Sequence, residues 1–221
     1  MSFLQLDHLP EKPLRFEIIR TAIRMNELGI NQGKSGNVSA RTEGGFLVTP
    51  TGIAYEETKP EQIVLMKLDG TFEGLVLPSS EWRFHRDIYA ARNDVAAIVH
   101  THSHYATTLA CMDRPIPAFH YMVAAAGGDD IRCAPYATFG TQALSDHVLK
   151  AMEGRNACLM SHHGMIAVGE TLPKALALAV EVESLARMYW QALQLGELGL
   201  LDAAEMVVVV EKFRTYGQQA L

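Results

Sequence analysis

Three histidines fall within five positions at the end of an apolar run, Ala-Ala-Ile-Val-His-Thr-His-Ser-His, residues 96–104. In a strand, side chains at i and i+2 share a face, so His100 and His102 point the same way. Two imidazoles placed side by side repel when both are protonated, and a divalent metal resolves this by holding them neutral. Zinc takes three or four protein ligands from His, Cys and carboxylates, so this pair needs a third partner. Leu-Met-Ser-His-His-Gly-Met-Ile, residues 159–166, offers His162 and His163 ahead of a glycine that lets backbone come close. His104 competes locally, because a strand prolonged by two residues would carry it on the same face. Spacing alone leaves His104 and His163 both open. A carboxylate that ligates or moves protons is also needed. Glu81, after Ser79 and Ser80 at a helix start, is one candidate, against the plainer reading of a solvated helix-end glutamate.

Two further stretches suit an anion. "NQGKSGNVSA", residues 31–40, reads as a Gly/Ser/Asn turn whose backbone N–H groups can converge on an oxyanion. "TPTG" (49–52) and "PSS" (78–80) add hydroxyls and, at Ser80, a helix N-terminus. "GINQGKS" has the look of a P-loop, but only three residues separate Gly29 from Gly33 where four are required, and the stretch follows a helix.

The elements that must position these groups follow from periodicity. "PLRFEIIRTAIRMNELG" spaces Leu14, Ile18, Ala22 and Ile23 as a helix between Pro13 and Gly29. "GGFLVTPTG" and "QIVLMKLDG" read as short strands. "PSSEWRFHRDIYAARND" reads as a helix capped by Ser79 or Ser80. "VAAIVH" is a buried strand running into a helix over "HYATTLACM". "TQALSDHVLKAMEG" is an amphipathic helix, and "ACLMSHHGMIAVG" is two strands with a tight bend. "TLPKALALAVEVESLARMYWQALQLG" is a long helix capped by Thr171. "DAAEMVVVVEKFRTYG" is balanced between the strand preference of its valines and a helix capped by Asp202. Without a regular βαβ beat, a mixed sheet covered by helices fits better than a doubly wound parallel one.

The 221 residues, 48% hydrophobic and 20% charged, suffice for one α/β domain over residues 1–221, with residues 1–12 expected to be flexible. A net charge of −6 without a basic stripe argues against a nucleic-acid partner. No apolar run reaches a membrane span, and the N-terminus lacks the apolar segment of a signal peptide. Cys111, Cys133 and Cys158, odd in number and far apart, read as reduced, mostly buried thiols of a cytoplasmic protein rather than as a catalytic nucleophile.

Taken in order, "NQGKSGNVSAR", "VTPTGIAYE", "LPSSEWRFH", "IVHTH", "IPAFHYMVAAAGG", "CAPYATFGT", "HHGMIAVG" and "EKFRTYG" resemble the class II aldolase/adducin family, from about residue 14 to the end. The resemblance implies a three-layer α/β/α fold around a mixed, largely antiparallel sheet. It also implies a four-fold homotetramer whose active sites lie between neighbouring subunits. It assigns Zn²⁺, or a replacing Mn²⁺ or Co²⁺, to His100, His102 and His163, and leaves His104 a bystander. Glu81 matches the acid/base that also approaches the metal. Asn37, Thr51, Gly52, Ser79 and Ser80 match a phosphate cradle. Tyr121 matches a tyrosine reaching into the adjacent subunit's site, while Phe139 and Tyr216 match residues shaping the aldehyde end. The implied reaction is reversible cleavage of a ketose 1-phosphate of the L-fuculose 1-phosphate type. It yields dihydroxyacetone phosphate and a short aldehyde such as L-lactaldehyde, with the metal as Lewis acid. A salvage aldolase for 5-deoxyribulose 1-phosphate or 5-methylthioribulose 1-phosphate is the alternative, as is a methylthioribulose-phosphate dehydratase of the same fold. The related epimerases carry aspartate where Glu81 stands, and a non-enzymatic adducin-like head would not need the histidines.

Overall fold

The computed structural model describes residues 9–215. An eight-stranded sheet runs β4-β3-β2-β1-β5-β8-β7-β6. Its strands are β1 (Asn37–Thr42), β2 (Gly45–Val48), β3 (Val64–Met66), β4 (Phe72–Glu73), β5 (Ala97–Thr101), β6 (Cys133–Ala134), β7 (Ala157–Met160) and β8 (Gly164–Gly169). Every pairing is antiparallel except β6 with β7. The helices are α1 (Lys12–Glu27), α2 (Trp82–Ala91), α3 (His104–Ala110), α4 (Gln142–Ala151), α5 (Leu172–Leu193) and α6 (Ala203–Phe213).

Period-two alternation splits the interior into two cores. Val38, Ala97, Val99, Leu159, Met165 and Ala167 face α1, α3 and α5. Ile98, Cys158, Met160, Ile166 and Val168 face α2 and α4. The result is the expected three-layer α/β/α arrangement around a mixed, largely antiparallel sheet.

Several boundaries differ from the sequence expectation. "NVSAR" is not turn but β1, a central strand between β2 and β5. Neither Ser79 nor Ser80 caps α2. Glu81 occupies the N-cap position and makes no side-chain capping bond, because its carboxylate is turned into the site described below. Ser79 instead serves the entry turn, its Oγ accepting from Glu81 N at 3.3 Å and its carbonyl from Trp82 N at 3.2 Å. The valine-rich segment is helix α6, started by Asp202 accepting from Glu205 N at 2.8 Å. Thr171 caps α5 by accepting from Lys174 N. Lys12, the last of the twelve residues expected to be flexible, already opens α1, and residues 1–8 lie outside those described. Of the cysteines only Cys158 is buried; Cys133 is half-buried and Cys111 exposed, and all three are unpaired.

The chain leaves β5 at Thr101 and enters α3 at His104, so the turn between them carries His102. That turn is fixed by a distant residue. Glu183 of α5 accepts from Tyr105 N at 2.9 Å and from Ala106 N at 2.8 Å, filling two of the free donors at the start of α3. Glu183→Ala strands both donors in a half-buried place. It is expected to cost about 1.5–3 kcal/mol, the range for bonds to a charged acceptor. A urea midpoint equal to that of the unaltered protein would show that α3 does not depend on this bond.

Candidate active site

His100 lies on β5 between Asn37 of β1 and Ile166 of β8, fully buried, its ring edge-on to Phe84 of α2 at 5.5 Å. Its Nδ1 is 2.9 Å from Met165 O. A carbonyl only accepts, so Nδ1 carries the proton and Nε2 presents a lone pair. That Nε2 stands 3.1 Å from His102 Nε2 and 3.2 Å from Glu81 Oε2. His163 enters from the β7–β8 turn, with its Nε2 3.0 Å from Glu81 Oε1. A side chain at Gly164 would place Cβ 2.4 Å from Thr101 O, so only glycine lets this turn press against the end of β5. His162, just before, sits in the left-handed region at φ 52°, which histidine enters more readily than most residues. The three rings of His100, His102 and His163 stand 4.9 Å apart, centre to centre, in every pairing.

The donor atoms of Glu81, His100, His102 and His163 all lie within 4.8 Å of one another. Metal–nitrogen bonds of ~2.0–2.1 Å in a tetrahedron give ligand separations of roughly 3.4 Å, close to the spacings observed. The chemistry of the set fits as well. Lone pairs of imidazole and carboxylate face each other around one point, an arrangement that a cation stabilises. Burial first, then the neighbouring His100 and His163 rings, push the His102 pKa down to about 3, keeping it neutral as a ligand must be. For Glu81, burial alone would raise the pKa. Positive charge at the His100 and His163 rings, which a bound cation would supply in place of their protons, outweighs it and holds the carboxylate ionised, below its usual range.

Three of these four groups open onto a cavity, with His100 buried beneath them. Glu81, His102 and His163 line it, with Ser35 and Ser80 on its wall and Tyr136, Ala137, Phe139 and His162 completing it. Ser80 and Phe139 are thus brought to the same cavity as Glu81, His102 and His163. Ser79 is buried behind Glu81. Asn37 is buried and bonded to Glu81 Oε2 at 2.9 Å. Thr51 and Gly52 are exposed, and Lys34 Nζ reaches Gly52 O at 2.7 Å. Tyr121 is not among the cavity's residues. It is 51% exposed at the start of a 3-10 turn, its ring tilted against those of His120 and Phe213. Tyr216 lies outside the described residues. His104 turns away from the cluster, its Nε2 2.5 Å from Gln32 Nε2. Cys133 and Cys158 are no activated nucleophiles: burial pushes the first up to about 11 and the second further. Sequence reasoning passed over Ser35, Lys34 and Tyr136, and offered His162 only as a metal ligand, whereas it lines the cavity wall. The first two sit inside the Gly/Ser/Asn turn already marked as an anion holder, which is the signal that could have found them.

Comparison with known proteins agrees in family and fold. The family described as class II aldolase and adducin N-terminal domain matches residues 16–190. A 5-methylthioribulose-1-phosphate/5-deoxyribulose-1-phosphate aldolase of Rhodospirillum rubrum is 56% identical over 207 residues, 94% of each chain. An L-fuculose phosphate aldolase of Escherichia coli is 51% identical over 202 residues, covering 91% of this chain and 94% of that one. A solved structure of an L-fuculose 1-phosphate aldolase superposes with a TM-score of 0.90 at 40% identity, covering 94% of this chain and 99% of that one.

Proposed function

We propose, from the premise that this chain belongs to the class II aldolase and adducin family, that it is a metal-dependent aldolase splitting a ketose 1-phosphate into dihydroxyacetone phosphate and a short aldehyde. The observation that carries the reading is the convergence of three imidazoles and one carboxylate, of which His102, His163 and Glu81 line a cavity. An interaction module of the adducin kind has no use for such a cluster.

A divalent cation held by His100, His102 and His163, with Glu81 beside it, supplies Lewis acidity for the charge that builds on the three-carbon fragment; nitrogen-rich ligation favours Zn²⁺, with Mn²⁺ or Co²⁺ able to replace it. Glu81 moves the proton at C3. Ser79, Ser80, Thr51 and Gly52 hold the phosphate. Asn37 still has a second Nδ2 hydrogen to offer it beyond the one given to Glu81. Lys34 brings an ammonium to that end. Tyr121, exposed on the surface, serves the C4 hydroxyl in a neighbouring subunit's site, in a four-fold homotetramer. Phe139, with Tyr216, shapes the aldehyde end. Its aromatic surface suits an uncharged tail, as in L-lactaldehyde or the shorter and sulfur-bearing aldehydes of 5-deoxyribulose and 5-methylthioribulose 1-phosphates. Unpaired cysteines fit the reducing cytoplasm. Among the described residues, no helix is long and apolar enough to cross a membrane.

The test is a panel of L-fuculose, 5-deoxyribulose and 5-methylthioribulose 1-phosphates, read as dihydroxyacetone phosphate release through a coupled reductase, beside their unphosphorylated sugars, read as release of the aldehyde that both substrate sets would share. All three esters are expected to be cleaved. Their kcat/KM values should lie within about 200-fold, since tails differing by one hydroxymethylene or methylthio group discriminate weakly in an apolar pocket. The free sugars should give no product. Water loss without carbon–carbon cleavage on every ester would replace the aldolase by the dehydratase.

A further inference from the structure

Strand β1 presents an unexpected face to the core. Its Val38 and Ala40 pack toward α1, while Asn37 and Ser39, on the opposite face, are equally buried against α2. Polar side chains on a buried face cost stability unless bonded, and these are bonded in a row. Tyr89 Oη is 2.8 Å from Ser39 Oγ, which is 2.7 Å from His85 Nδ1. His85 Nε2 is 2.5 Å from Asn37 Oδ1, and Asn37 Nδ2 is 2.9 Å from Glu81 Oε2. An ionised carboxylate only accepts, so Asn37 turns its NH₂ toward Glu81 and its carbonyl toward His85. His85 then carries its proton on Nε2, Nδ1 accepts from Ser39, and Ser39 accepts from Tyr89. Every donor in the row has one orientation, and the row ends on Glu81.

Resting on the aldolase reading, we propose that His85 is a positioning residue for Glu81: it locks the Asn37 amide, which pins Oε2 and so fixes the carboxylate plane over the metal-binding cluster. His85 is fully buried between Phe46 and Phe84 and touches neither the cluster nor the cavity. Burial first, and the His100 ring next, push its pKa down to about 3, so it stays a neutral donor–acceptor. Oε1, 3.0 Å from His163 Nε2, is the oxygen left facing the cluster. A satisfied core histidine would also be buried and bonded. What it would not do is hand its bond through an amide to the proposed acid/base.

The test measures proton exchange at C3 of dihydroxyacetone phosphate with deuterium oxide, alongside metal content and KM. His85→Phe keeps the ring volume and removes the donor to Asn37. Its exchange rate at saturation should fall about tenfold or more, the order expected for small misplacements of a reacting group. KM and metal per chain should stay within about threefold, as they report binding rather than proton transfer. His85→Gln, whose amide can still donate to Asn37, should recover most of the rate. Unchanged exchange in His85→Phe, or an equal loss in both variants, overturns the proposal. Nitrogen-15 shifts of histidine-labelled protein decide independently of any variant's folding: His85 should be the Nε2–H tautomer, and an Nδ1–H tautomer ends the relay. Failure of the unaltered protein to exchange at all would count against the aldolase reading, with the tautomer still testing the relay.

Discussion

Alanine at position 163 is expected to strip the metal from the purified protein and, with it, the aldol cleavage. Three imidazoles converge here, and two of them, His100 near the end of β5 and His102 in the turn that follows, come from one side and cannot surround an ion alone. His163 supplies the opposing side from the β7–β8 turn, held there by the close approach that Gly164 permits. Losing one of three nitrogen ligands should leave below about 0.1 metal ion per chain after dialysis, since the remaining donors no longer close the site. Lewis-acid stabilisation is worth several kcal/mol, so the rate should drop by about 10³-fold or more. His104→Ala is the matched control. That ring bonds Gln32 at the surface and should keep a full complement of metal. Plasma emission analysis of the two proteins settles the matter: metal lost from His104→Ala and kept by His163→Ala would reverse the assignment.

The choice between His104 and His163 also shows what the sequence could and could not reveal. The apolar run, the His-x-His spacing and the glycine bend were legible, because each is a local pattern with a local cause. Whether β5 continued to His104 was not local. It stops because Glu183, 78 residues away in α5, captures the first amides of α3 and makes the chain helical at His104. β1 was hidden for a related reason. "NVSAR" alternates polar and small apolar residues as a half-solvated strand would, and its Gly/Ser/Asn preface reads as turn. Only the partners on α2, His85 and Tyr89, make a buried polar face affordable. Gly36, whose Cβ would stand 2.4 Å from His100 O, marks where that strand is pressed onto β5. The Ser79/Ser80 cap failed because Glu81, the residue that would be capped, is directed into the cluster instead. The resemblance of the motifs named a site, but the geometry of Asn37, bonded to Glu81 and His85, lay outside any linear pattern.

Glu81→Gln should leave the metal in place and abolish proton traffic at C3. The substitution keeps size and shape, and His100, His102 and His163 remain as ligands. The neutral amide cannot take a proton, and its NH₂ has no good orientation: toward Asn37 Nδ2 it would set donor against donor. General acid–base groups contribute about 10²–10⁴-fold, so exchange of the C3 proton of dihydroxyacetone phosphate with deuterium should fall by that factor. Exchange at the unaltered rate in a metal-replete Glu81→Gln protein would remove Glu81 from the mechanism. The same variant addresses Tyr121, whose half-exposed ring lies beside Phe213 and outside the cavity. If that ring completes a neighbouring subunit's site, Tyr121→Phe and Glu81→Gln proteins are each impaired, and subunits exchanged between them should regain cleavage. Random assembly in a closed ring gives about a quarter of interfaces an intact Glu81 facing an intact Tyr121. Mixed assemblies, verified by mass, that remain no more active than their parents would place both residues in one subunit's site.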